Sequence, residues 1–501
     1  MLNDIVQQLK ILSNNKIDDI SALNVLHAKL NHLFSFKGIK FVSVNNPNKP
    51  TVLSYYGFNF VQSGGVKDKL ANDIDLYLLS FFDNYINSYN KQRLEAIELE
   101  HIRQLGKIED KTERNRLIKD QSDELKRFKK LHKKITNATM SSLYESAQMI
   151  EQSQSGSLMF QNTEFVVFFK DIVVNRDKTK GEFLDTLYGL YDGYLSGTNT
   201  TTTERGSIKD IALSCLFMSS PKILEKSEKM TDEFKDVLEQ GIARRSFVYY
   251  DKNKNYYKEG VKYASYEEKI EAITKLNHYS SVIEQIFNNL QDGTVFEFST
   301  EANKESIKWA IEADERCSKF YTFSDTLRDE ENILCINLGN SNWKITKLAV
   351  LYHILNGGGG LVSENSFKKV SLFFEKTHKC LENLLNNKSS TDYENLYNYL
   401  VQNRNTFISK MELRKQKFVK WKDFSNWFKE CIPELQEMCK KNGLCIGSTC
   451  TGERNQGYEI TVFDPEKFNY NVIETDKEGN VIRATLTNKN KIGLIEVDTI
   501  C

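Results

Sequence analysis

Four short groups of residues carry side chains suited to phosphate chemistry, and they follow one another in a particular order. The first is Gln62-Ser63-Gly64-Gly65-Val66-Lys67-Asp68. It follows TVLSYYGFNFV, a β-branched and aromatic run, and precedes LANDIDLYLLSFFDNYI, whose apolar residues recur at helical spacing. Between a strand and a helix, the backbone N–H groups of Ser63, Gly64 and Gly65 can converge on a phosphate, because glycine permits the tight curl. The helix N-terminus adds a partial positive charge, Lys67 can reach β- and γ-phosphates, and Asp68 can ligate Mg²⁺ directly or through water. The second group is Asn162-Thr163-Glu164, just after the apolar stretch SLMF, where a carboxylate can polarise an attacking water. Ser219 and Ser220 end a further apolar run, IALSCLFMSS, where a polar residue can sense a γ-phosphate. Arg244 and Arg245 follow a helix and are placed to act as an arginine finger across a subunit boundary.

Measured against a phosphate-loop pattern, three positions depart. Val61 and Val66 occupy the places of the two framing glycines, and a β-branched residue at 66 resists the backbone geometry that glycine supplies. Thr163 stands where an aspartate would help to hold Mg²⁺. Each group also has a plain structural reading: a surface turn, a helix-capping glutamate, turn serines, surface arginines. Their order after one strand–turn–lysine–helix unit favours a nucleotide site.

Positioning these groups requires an α/β core. The sequence divides into an N-terminal helical segment (1–46), the α/β core (47–255), a helical domain (256–388), a C-terminal module (391–463) and an extension (464–501). TVLSYYGFNFV, 157–170, 211–220 and SFVYY read as strands, and 263–386 read as helical throughout. Within the core, residues 90–135 carry 14 Lys/Arg and 9 Asp/Glu around apolar residues at a spacing near 3.5. That pattern is a long charged helix, or a helical hairpin bent near Gly106, with one buried stripe or a role as an arm. Lys388-Ser389-Ser390 is the linker candidate.

The module 391–463 reads as a winged helix: YENLYNYLVQN, a second helix opened by Ser409 as N-cap, a third interrupted near Pro433, and a two-stranded wing. Eight basic residues in 404–429, among them Lys410, Arg414, Lys415, Lys417, Lys420 and Lys422, face two acids. Interleaved with Phe418, Trp421 and Trp427, they suit salt-sensitive phosphate contacts with DNA. A solvated basic face on a protein-binding module is the alternative.

The whole chain has 501 residues with Lys+Arg and Asp+Glu equal at 68 each. The neutral total excludes a chain that is basic throughout, although the modules differ in local charge. No stretch approaches the length of a membrane span, and there is no signal-peptide pattern. The nine cysteines form no CxxC pair, so they read as reduced thiols of a cytoplasmic protein.

Taken together, YYGFNFVQSGGVKDK, SLMFQNTEFVVFF, IALSCLFMSSPKIL, LEQGIARRSFVYY and WKITKLAVLYHILNGGGGLVSENSFKKVSLFF resemble the primase–helicase-like ATPases of phages, plasmids and other mobile elements. The resemblance covers roughly residues 45–390. It implies a RecA-like P-loop NTPase core with a long helical insertion, an all-α segment and a C-terminal winged helix. It also implies ATP and Mg²⁺, a homo-oligomer, replication partner proteins, DNA, and the cytoplasm of a bacterial host cell. Carried over by position, Lys67 is the phosphate lysine, Asp68 a Mg²⁺ ligand, Glu164 the catalytic carboxylate, Ser220 the sensor, and Arg244 or Arg245 the finger. Two expectations follow: a helicase-like replication motor, or a descendant of such motors that keeps the fold as a scaffold and has lost hydrolysis. The valines at 61 and 66 favour the second, while Lys67, Glu164 and the Arg244–Arg245 pair favour the first.

Overall fold

A computed structural model gives the fold, and it describes the chain apart from residues 45, 62–66, 129, 137–139, 154, 170–176, 200–203, 222–227, 251–262, 322–328, 386–389, 405, 407, 416–434, 437, 440–441, 452–456, 464–467, 476–480, 489–493 and 498–501. The chain is a mixed α/β protein that divides into two compact units, Met1–Asn386 and Asn387–Cys501. Among the described residues no helix is long and apolar enough to cross a membrane.

The first unit opens with α1 (Leu2–Leu12) and α2 (Asp19–Ser35). Asp18 caps α2 by accepting the Ile20 N–H at 2.8 Å. Helix α2 is buried nearly all round, so its polar side chains need internal partners. Asn24 donates to Asn59 Oδ1 at 2.7 Å, and Asn31 donates to the Leu53 carbonyl at 2.8 Å.

Strands β1 (Lys40–Ser43), β2 (Asn46–Val52) and β3 (Tyr55–Phe60) follow. The run expected as a single strand is thus two, and they lie in different sheets. The break falls at Leu53, whose carbonyl accepts from the side chains of Asn31 and Ser35, each at 2.8 Å. Helix α3 (Lys67–Asp73) leads through a π-helical turn, Ile74–Leu78, to α4 (Ser80–Leu105), and α5 (Lys111–Arg127) follows. The charged stretch 90–135 is therefore broken near Gly106, with Asp110 capping α5 through the N–H groups of Thr112 and Glu113.

Next come α6 (Met140–Gln152), β4 (Ser157–Asn162), α7 (Phe165–Phe169), α8 (Asp177–Asp192), β5 (Ala212–Ser219), α9 (Glu228–Val237), a π-helical turn over Leu238–Ile242, and β6 (Ser246–Tyr250). Residues 157–170, expected as one strand ending in a polar turn, are a strand followed by a short helix. Asn162 Oδ1 takes the Glu164 N–H at 2.9 Å, a side-chain turn that stops the strand.

Strands β6, β3, β5 and β4 form, in that order, a parallel sheet. Every residue of all four strands is buried, which is why they read as continuous apolar runs and not as alternating ones. The chain passes from β3 to the outer position of β4, returns to β5 between them, and then crosses to β6 on the far side of β3. Connections therefore leave β3 and β5 in opposite directions, and between these two lies the switch point at which open parallel sheets form a crevice.

The remainder of the unit comprises α10 (Tyr266–Asn289), β7 (Val295–Phe298), α11 (Thr300–Tyr321), α12 (Asp329–Gly339), α13 (Ser341–Leu355), β8 (Leu361–Val362) and α14 (Glu364–Leu385). Expected as helical throughout, this part contributes two short strands to a second sheet, ordered β8-β7-β1-β2. One hydrophobic cluster extends from Ile5 to Leu385, so residues of the N-terminal segment, the α/β core and the helical domain share it.

In the second unit, α15 (Ser390–Gln402), β9 (Ile408–Ser409), α16 (Lys410–Lys415), β10 (Cys445–Thr451) and β11 (Gly457–Phe463) surround a small core that includes Leu396, Leu413, Ile446 and Val462. Ser409 Oγ accepts the Glu412 N–H at 3.3 Å, as an N-cap would. Strands β10 and β11 are an antiparallel hairpin, and β9 pairs with β11. The extension forms a three-stranded antiparallel sheet of β12 (Phe468–Thr475), β13 (Val481–Asn488) and β14 (Leu494–Val497).

Candidate functional site

The C-terminal ends of β3, β5 and β4 lie side by side, and the candidate phosphate-site residues follow these ends. Val61 extends the ladder beyond β3, donating its N–H to the Ser219 carbonyl at 2.9 Å. Ser63, Gly64 and Gly65 lie outside the described residues. Lys67 opens α3, and its Nζ donates to the Thr163 carbonyl and to Glu164 Oε1, the latter at 2.8 Å. Lys67 is thereby joined to a residue 97 positions away, on the turn after β4.

The two partners differ in exposure. The Lys67 side chain is 16% exposed and that of Glu164 is 60% exposed. An ammonium has three N–H donors, and Lys67 commits two of them to the turn, which leaves one for a ligand. Glu164 is steadied from behind by Asn162, whose amide also donates to the Thr136 carbonyl at 3.3 Å. Asn162 is a residue that reasoning from motifs passed over. Its signal was the Asn-Thr-Glu spacing, since an asparagine readily takes the N–H two residues on. Asp68, the second residue of α3, is exposed. Ser219 ends β5 opposite Phe60, and its buried hydroxyl has no hydrogen-bond partner among the described residues. Ser220, next in the chain, is half-buried.

Beneath α3 is a charged hub. Asp75, in the π-helical turn, accepts from Lys29 at 2.7 Å and Lys134 at 2.8 Å, and Lys133 is 3.5 Å away. Lys29 also reaches Gln161 Oε1 at 3.1 Å, one residue before Asn162. Burial works against ionisation of Asp75, but the three lysines outweigh it and hold the carboxyl at about 2. Burial dominates at Lys29, and its ammonium is pulled down to about 8 despite Asp75. The hub thus links α2, the helix that Lys67 opens and the strand that leads to Glu164.

Arg244 and Arg245 precede β6 and lie at the opposite edge of the same sheet, roughly 17 Å away at about 3.3 Å per strand residue. The structure does not bring them to Lys67 of the same chain. Arg245 is engaged locally: it pairs with Asp192 at 2.9 Å, donates to the Gly241 carbonyl at 3.2 Å and lies 4.5 Å from the centre of the Tyr188 ring. Arg244 is exposed and, among the described residues, has no ion-pair partner. Gly241, with φ +137°, lies beneath both guanidinium groups. A Cβ there would come within 3.2 Å of nitrogens from each.

In the second unit, Lys415 ends α16, exposed and 3.7 Å from Glu412. Lys410 and Arg414 belong to α16, with their side chains outside the described part. Lys417, Lys420 and Lys422 lie outside the described residues altogether. Among the described residues no group of three His, Cys, Asp or Glu side chains is disposed to hold a metal ion. No known protein family matches the chain, and no curated protein matches it either.

Proposed function

We propose that this protein is an ATP-dependent, helicase-like replication protein of a phage or mobile element, with a RecA-like P-loop core and a winged-helix module that binds DNA. The observation that carries the reading is the 2.8 Å contact between Lys67 and Glu164 at the switch point of a parallel sheet. It joins a cation after the first strand to a carboxylate after the outer one, with the serine-ended strand β5 between them.

The residues present suit Mg²⁺-ATP. Lys67 has a third N–H donor for a phosphate, Asp68 is exposed to face a cation, and the hydroxyl of Ser219, without a partner among the described residues, lies buried at the same edge, next to Ser220. When bound, ATP supplies the phosphoanhydride bond and its leaving group. Glu164 then orients a water and accepts its proton at Oε1 or Oε2. A phosphate that draws Lys67 away releases Glu164 for that role. Arg244, remote from the Lys67 of its own chain, serves the site of a second copy.

The alternative is a scaffold that no longer hydrolyses ATP, and a specific observation favours it. Val61 remains in the β-ladder where a phosphate loop would already curl, and Thr163 contributes its carbonyl to Lys67 where a second carboxylate would stand. ATPase activity with and without single-stranded DNA, compared between wild type and Lys67→Ala, separates the two. A motor gives a DNA-stimulated rate that the variant loses, whereas equal rates leave the scaffold. For the second unit, joint replacement of Lys415, Lys417 and Lys420 by Glu should abolish DNA binding at low salt, and unchanged affinity refutes that assignment.

A further inference from the structure

The turn that carries Arg244 is gripped from the helical part of the first unit. The Ala243 carbonyl accepts two hydrogen bonds, one from Asn337 Nδ2 at 3.0 Å and one from Lys344 Nζ at 3.1 Å. The same Lys344 nitrogen reaches the Ser246 carbonyl at 3.1 Å. These two carbonyls bracket Arg244 and Arg245.

Lys344 is an unusual residue to find here. It is 0% exposed, has no carboxylate partner among the described residues, and lies 4.9 Å and 5.7 Å from the ring centres of Phe374 and Phe247. Burial holds its amine well below the usual lysine range. Its Nζ donates to both carbonyls. Asn337 is itself oriented, because His378 Nδ1 lies 3.1 Å from Asn337 Oδ1 and leaves the amide nitrogen facing Ala243. An apolar side chain would fill the space between Phe247 and Phe374. Only a long donor can join two carbonyls three residues apart.

We propose that Lys344, assisted by Asn337, is a positioning residue for Arg244: by tying down the carbonyls on either side of the arginine pair, it fixes the direction in which the turn presents Arg244. The proposal deepens the reading of Arg244 as the group that serves a neighbouring copy, and it rests on that reading. It assigns Lys344 no contact with nucleotide.

Two measurements on the full chain test it: hydrogen–deuterium exchange of the 241–246 amides, and steady-state ATPase kinetics, for wild type, Lys344→Met, Asn337→Leu, Arg244→Ala and the Lys344→Met/Arg244→Ala double variant. Methionine fills the apolar space but leaves the Ser246 carbonyl without the Lys344 donor, so Lys344→Met should fold with a melting temperature somewhat below that of wild type. Asn337→Leu keeps Lys344 and serves if the lysine variant fails to fold. The expected result is faster exchange confined to the turn in both single variants. Turnover should fall by roughly a hundredfold in Lys344→Met, as misplacement of about 1 Å can produce, with KM within about twofold of wild type. The double variant should be no slower than Arg244→Ala alone. Unchanged exchange at 241–246 overturns the clamp. Faster exchange with losses that multiply in the double variant overturns its action through Arg244. A wild-type chain without Lys67-dependent turnover removes the functional reading instead, and exchange then decides the clamp on its own.

Discussion

The two edges of the central sheet are held by different physics. At the C-terminal edge, Lys67 meets Glu164 in a contact open to solvent on one side, above a hub in which Asp75 gathers Lys29, Lys134 and Lys133, the last of which also pairs with Asp83 at 2.9 Å. At the N-terminal edge, Lys344 and Asn337 hold backbone carbonyls, Arg245 pairs with Asp192, and Arg244 is left as the exposed side chain of the turn. An ion pair with spare donors can be exchanged for a ligand. A turn bonded through its own carbonyls can only be loosened. On the proposed reading, one edge captures phosphate and the other presents a cation to a second copy.

The sharpest way to break this comparison is to remove its charged foundation. Asp75→Ala leaves Lys29 and Lys134 without their carboxylate while Lys133 keeps Asp83, and the loss of one partner from a buried charged set should cost about 3–5 kcal/mol in urea denaturation. A loss below about 1 kcal/mol would mean that the hub is solvated and does not support the Lys67 helix. At the other edge, Gly241→Ala requires a left-handed backbone and brings a methyl group against both guanidinium groups. It should cost about 3 kcal/mol, near the upper end for a single strained residue. Full stability in Gly241→Ala would show that the arginine turn is not constrained.

Acid should separate the edges more gently. The folded pKa of Asp75 is depressed, so its stabilisation is present above the ordinary carboxylate range and is lost as pH falls through about 4 towards about 2. The loss should amount to about 2 kcal/mol, and it should be missing from the urea midpoints of Asp75→Asn over the same pH window. An identical acid dependence in that variant would place the titrating group elsewhere.

How much of this was legible beforehand depends on the kind of signal. The four core strands could be read because burial on both faces writes itself as unbroken apolar runs, as in IALSCLFMSS. The order of motifs pointed to Lys67 and Glu164 as neighbours, and their side chains meet. Helix α2 did not read as central, because Asn24, His27, Lys29, Asn31 and His32 disguise a buried helix as a surface one, and only the fold reveals the tertiary partners that each finds. Strands β7 and β8, of four and two residues, are too short to interrupt a helical pattern. Lys344 and Lys347 were least legible of all. In WKITKLAVLYHIL they occupy the places of an exposed polar face, yet both are buried against backbone carbonyls.

On the proposed reading Glu164 acts as a base while Lys67 holds phosphate, and one substitution isolates the role of Glu164. Glu164→Gln keeps the shape of the side chain and removes its basicity. Nucleotide affinity, measured by calorimetry beside multiple-turnover hydrolysis, should stay within a few-fold of wild type while the rate falls by about 10²–10⁴. Hydrolysis at the wild-type rate in Glu164→Gln would contradict the proposed role of Glu164.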